Sequence, residues 1–201
     1  MFKIKSFYLL LTMCCYVDIG TVQSQELIPN SESNSQSIEE TDLHKLWTEI
    51  LKTHVTKDGT VNYKTLQKDP EKLENYISKL DEFCSNKMIQ SLEKGAQLAF
   101  WINAYNAFTV KLIVKNYPVK SIKDLGGSIY KVNTPWDIKF IKIGEEVYDL
   151  NNIEHGMIRK EFSDPRIHFA VNCASVSCPK LRNEAYVGTT IEQQLEDQAK
   201  Y

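Results

Sequence analysis

The chain has 201 residues, 42% hydrophobic and 25% charged, and a formal net charge of −2. So weak an acidic balance leaves no electrostatic footprint for nucleic acid, and the length suits one domain with a substantial core. Five cysteines make the redox compartment the first question.

Residues 1–24 bear on it. Lys3 and Lys5 precede an apolar run, and Val22 and Ser24 occupy the positions favoured before signal cleavage. This pattern predicts an export signal and a periplasmic or secreted mature protein. The run is short and interrupted by Asp18, so the mature chain is expected to have no stable membrane span. Lipidation at Cys14 is a lesser alternative, because Leu11-Thr12-Met13 lacks the usual small residues. Cleavage leaves Cys84, Cys173 and Cys178, an odd number, so at most one internal pair forms.

Residues 25–40 are rich in Ser, Asn, Gln and Glu and read as a flexible lead-in. The folded domain is expected over 41–201. In LHKLWTEILKTHV, Leu43, Leu46, Trp47, Ile50 and Leu51 recur at helical spacing. Asp58-Gly59 marks a turn into TVNYKTL, read as extended. PEKLENYISKLDEF is a helix opened by Pro70, followed by Cys84 as a small buried hydrophobe. GAQLAFWINAYNAFTVKLIVKNYP is apolar nearly all round, which predicts a central buried helix ended by Pro118. Gly126-Gly127 breaks the chain, and IKFIKIGEEVYDL alternates about Gly144-Glu145 as a β-hairpin. NNIEHGMIRKEF is a short helix with Asn151 and Glu154 at capping-box spacing. DPRIHFAVN reads as a turn and a strand, with Phe169 and Val171 on one face and His168 and Ala170 on the other. The sum is α+β: a helix-rich single domain around one long buried helix, with a small antiparallel sheet.

Asn103 and Asn106 fall inside the buried helix, where an unsatisfied amide costs about 1–3 kcal/mol. Either they bind loop backbone or they line a pocket with Arg159 as substrate-binding groups. The pair Cys173 and Cys178 admits three readings: a disulfide, half a metal site, or a nucleophile beside a bystander.

The blocks AFWINAYNAFTVKLIV, YDLNNIEHGMIR and DPRIHFAVNCASVSCPKL resemble the three signature blocks of the family catalogued as domain of unknown function 547. The likeness runs from about Leu43 to the end. It implies a fold similar to papain-like and transglutaminase-like cysteine enzymes, and a Glu, His and Cys triad placed at Glu154 or another carboxylate, at His155 or His168, and at Cys173. Family members usually continue beyond QQLEDQAK, so a C-terminus incomplete at Tyr201 is expected.

Chemistry ranks these candidates. A nucleophilic thiol needs a histidine within reach. On a regular strand His168 and Cys173 face opposite ways, so His155 is the better base. Glu154 lies about 100° from His155 on an α-helix, which makes it the weakest member. The expected activity is that of a thiol-dependent hydrolase or acyltransferase on an amide-like, peptide-like substrate, with no cofactor and no resident metal. The alternatives are a zinc site using Cys173 and Cys178 with the histidines, and a non-catalytic peptide- or sugar-binding module.

Overall fold

The computed structural model describes residues 31–125, 134–175 and 177–200, with backbone alone for 31–39. The expected export signal and the Gly126-Gly127 break lie outside the described residues. The elements are α1 (Ser31–His54), α2 (Tyr63–Lys68), α3 (Glu71–Ser85), α4 (Lys94–Asn116), β1 (Ile141–Ile143), β2 (Glu146–Tyr148), a π-helical segment (Asn152–Ile158) running into α5 (Arg159–Glu161), α6 (Ile167–Ala170) and α7 (Ile191–Ala199). Short 3-10 turns fill Met88–Ser91, Ile122–Leu125 and Pro135–Asp137. This is a helix-rich α+β arrangement with one two-stranded antiparallel sheet.

Helix α4 is the axis of the core. From Leu98 to Val114 it is buried on every side except at Trp101 and Lys111, as expected of a helix without a polar stripe. It packs against α1, α2, α3, α7 and the π segment. Trp47 of α1 stacks on Tyr76 of α3, ring centroids 5.4 Å apart, which closes the core on the α1–α3 side. β1 pairs with β2 in the register Ile141 to Tyr148 and Ile143 to Glu146. Gly144 turns the hairpin at φ +64°, and its N–H donates to Asp81 Oδ1 at 2.7 Å, which ties the hairpin to α3.

Three local expectations change. Residues 31–40, read as flexible, continue α1 upstream, because Glu40 is buried and accepts the Gly188 N–H through both carboxylate oxygens at 3.3 Å. TVNYKTL is extended only at Val61, which bridges to Val55. The rest is α2, because the Asn62 side chain accepts the Thr65 N–H and caps the helix. IHFAV is not a strand. Asp164 Oδ1 accepts the Arg166 N–H, and the N–H groups of His168 and Phe169 bond back to Pro165 and Arg166, winding one turn of helix.

Between α6 and α7 the described residues of 171–190 have no regular structure, so their backbone groups need partners from elsewhere. Four buried amides supply them. Asn106 holds Ala170 and Asn172, Asn103 holds Tyr186, Gln194 holds Ala185 and Val187, and Gln198 holds Lys180. At Gly188 the chain lies so close to α4 that an added Cβ would sit 2.6 Å from the Ala96 Cβ. The loop with the two cysteines is therefore clamped to the core at several points.

Candidate functional site

Asn106 begins the cysteine loop: its Nδ2 donates to the Ala170 carbonyl at 2.9 Å and its Oδ1 accepts the Asn172 N–H at 2.8 Å. Asn172 then fastens both sides of the loop, since its Oδ1 accepts the Ala174 N–H and its Nδ2 donates to the Pro179 carbonyl. Ala174 takes φ +54°, the left-handed conformation that reverses the chain. This brings Cys173 to Cys178, Cα atoms 5.8 Å apart, and the two are disulfide-bonded. The Ser175 N–H donates to Cys178 Sγ at 3.4 Å. The third cysteine among the described residues, Cys84, is half-buried in α3, and its thiol is pushed up to about 12 by burial first and by Asp81 second, which leaves it inert near neutrality.

A cavity of about 310 Å³ opens beside the loop, lined by His168, Phe169, Ser177, Cys178, Pro179, Lys180 and Gln198. A polar line runs from it into the core. Arg159 Nη2 donates to His168 Nδ1 at 3.3 Å, and the same guanidinium donates through Nε and Nη2 to Glu154 Oε1 at 3.0 and 2.9 Å. Glu154 in turn accepts from the Tyr105 hydroxyl, whose ionisation is pushed up by burial and by that carboxylate.

Two features of this line decide its chemistry. Glu154 and Arg159 are five residues apart, about 140° around an α-helix and out of reach. The wider π turn over Asn152–Ile158 brings them onto one side. A guanidinium has only donors, so it fixes Nδ1 of His168 as the acceptor nitrogen and places the ring proton on Nε2. His168 is thus arranged to donate from Nε2, the reverse of an imidazole whose Nδ1–H is held by a carboxylate.

The sequence-derived residues sort as follows. Cys178, not Cys173, lines the cavity, and its companion is His168, not His155. His155 is exposed and makes no hydrogen bond or ion pair among the described residues. The strand geometry that separated His168 from the cysteines does not apply, because the segment is a helical turn followed by a bend. The Asn151 and Glu154 capping box does not form. Asp149 and Asn152 make the reciprocal pair two residues upstream, with bonds of 2.7 and 3.3 Å, and leave Glu154 free for Tyr105 and Arg159. Asn103 and Asn106 are buried and each bonds backbone through both its Nδ2 and its Oδ1, as in the loop-binding reading of the two. Arg159 positions His168. Among the described residues no three His, Cys, Asp or Glu side chains converge as metal ligands, so the zinc alternative finds no ligand set there. None of the described helices is long and apolar enough to cross a membrane.

Sequence reasoning missed Tyr105, because one tyrosine in an apolar helix looks like core. It also missed Ser175, whose part is played by its backbone.

The family model described as "Protein of unknown function, DUF547" matches residues 89–201, more than half of the chain and all of the site. The chain belongs to the DUF547 family. Helices α1 to α3 precede the matched region, so the likeness begins later than the sequence reading from Leu43 placed it. No curated protein and no solved structure matches the chain.

Proposed function

We propose that this DUF547 protein is an exported thiol-dependent hydrolase or acyltransferase for amide-like bonds, papain- or transglutaminase-like in its arrangement, with its site at the His168 and Cys178 cavity. One observation carries the reading: Cys178 and an oriented imidazole line one open cavity, at the exposed end of a polar line that runs from His168 through Arg159 and Glu154 to buried Tyr105. Reduction of the disulfide frees Cys178. The Ser175 N–H and the cationic side chain of Lys180 favour its thiolate. The thiolate attacks the carbonyl carbon, the Nε2–H of His168 holds the developing oxyanion by a hydrogen bond, and the C–N bond breaks as the departing amine takes a proton from solvent water. Water or a second amine then attacks the thioester carbonyl, the C–S bond breaks to give back the Cys178 thiolate, and the nucleophile's proton passes to solvent.

The test uses reduced full-length protein and p-nitrophenyl acetate. An acetyl adduct should be found by mass spectrometry on Cys178, weakened in His168→Ala and in Arg159→Ala. Without an adduct on Cys178, and with iodoacetamide alkylation at an ordinary thiol pKa near 8.5, the proposal fails. The bonded sulfurs favour a second reading, an exported binding module whose disulfide is only a staple. That reading expects no adduct and an unchanged fold on reduction.

A further inference from the structure

The cysteine loop has a cavity on each side, and Ser177 lines both. The second cavity, of about 590 Å³, is lined by Lys120, Ser121, Lys123, Ala174, Ser175 and Ser177. Among the described residues no acidic side chain lines either one, although acidic residues outnumber basic ones in the chain. Lys120 and Lys123 take part in no ion pair among the described residues. The disulfide therefore lies between two cavities lined by lysine and serine side chains, and on one side Lys120 and Lys123 draw small anions toward the loop. Both cysteines are half-buried, but of the two only Cys178 lines the His168 cavity.

We infer that the Cys173–Cys178 disulfide is a thiol–disulfide exchange site whose substrates are small thiols carrying carboxylates. The incoming thiolate attacks Cys178 Sγ, a new S–S bond forms, and the old bond breaks with Cys173 leaving as thiolate, which takes a proton from water. A second thiolate attacks the sulfur of the bound small thiol and releases Cys178 as thiolate. Two small thiols are oxidised to their disulfide and the protein cystine is reduced to two thiols, so electrons balance with no other reagent. The Ser175 N–H at Cys178 Sγ stabilises the thiolate released last. This goes beyond the acyl-transfer reading and stands whether or not an amide is ever cleaved.

The experiment reduces the oxidised full-length protein with mercaptosuccinate, 2-mercaptoethanol or cysteamine at matched thiolate concentration. Rates are read by iodoacetamide quenching and mass spectrometry at low salt. Mercaptosuccinate should exceed cysteamine by about tenfold, an advantage that shrinks at high salt and in Lys120→Glu/Lys123→Glu. In a companion reaction with the disulfide of mercaptosuccinate, Cys173→Ser should form its mixed disulfide, on Cys178, faster than Cys178→Ser forms one on Cys173. Cysteamine matching or exceeding mercaptosuccinate overturns the inference, as does equal labelling of the two single variants. Neither readout involves an acyl group, so fast anion-selective exchange without acetylation of Cys178 sinks the hydrolase reading alone, and the converse result sinks this one.

Discussion

At the scale of single residues, polar groups in the core carry more of the structure than their number suggests. Asn106 satisfies a carbonyl and an N–H at the start of the cysteine loop. Asn106→Ala leaves both without a partner, and a loss of about 2–4 kcal/mol in denaturant-monitored stability is expected. Glu40 presents the other sign of buried polarity. It meets His44 Nε2 at 3.4 Å, while His44 Nδ1 bonds to the Tyr76 hydroxyl at 2.8 Å, all three side chains being buried. Burial pushes the Glu40 carboxyl up to about 7, opposed by the Gly188 N–H, and pushes His44 down to about 3. A raised carboxyl stabilises the fold while protonated, so its contribution is full below the ordinary value of 4.5 and is lost as pH rises through about 7. The depressed histidine acts the other way, its contribution being present above 6.5 and lost as pH falls toward about 3. Glu40→Gln should therefore gain on the wild type by about 2–3 kcal/mol between pH 5 and pH 8. Urea titrations at the two pH values check this, and a gap that does not change with pH would rule out burial as the cause.

At the scale of elements, two glycines separate chain contact from chain freedom. Gly188 lies against the backbone and side chain of Ala96, with approaches of 2.6 to 2.8 Å to an added Cβ. Gly188→Ala forces the loop off α4 and should cost about 1–3 kcal/mol, with partial recovery in Gly188→Ala/Ala96→Gly. Gly156 has nothing within 4 Å of an added Cβ and sits in a helical segment. Gly156→Ala should stabilise by about 0.5–1 kcal/mol, read as a rise in Tm. The π turn was not legible in the sequence. Glu154 and Arg159 at i,i+5 look unrelated under the α-helical period, and only the wider turn joins them. The turn of helix at Ile167–Ala170 misled for a related reason. Alternating Ile167, Phe169 and Val171 mimics a strand, while the Asp164-Pro165 turn had already set the local hydrogen bonding.

For the whole molecule, the long apolar helix and the amphipathic pattern of Leu43, Trp47, Ile50 and Leu51 made the core legible, since burial of those stripes has few alternatives. The hairpin was legible from its alternation and its glycine. The disulfide adds little to this core. It closes a loop with a sequence separation of 5, so Cys173→Ser/Cys178→Ser should lose only about 2 kcal/mol by chain entropy. A much larger drop in guanidinium unfolding would show that the bond organises the fold beyond its loop.

What the sequence determined by itself is the class of fold, the buried axis, the hairpin, and the small set of residue types from which any thiol chemistry must come. Each of these follows from local periodicity or composition. What only the tertiary structure decided is the pairing within that set: Cys178 with His168 at one cavity, His155 left at the surface, Glu154 turned to Arg159 and Tyr105. Those pairings depend on buried amides in α4 and α7 that fasten a coil distant in sequence, and on a helical turn wider than the ordinary one. Neither leaves a periodic trace in the chain, because each hydrogen bond joins residues whose separation no local pattern encodes.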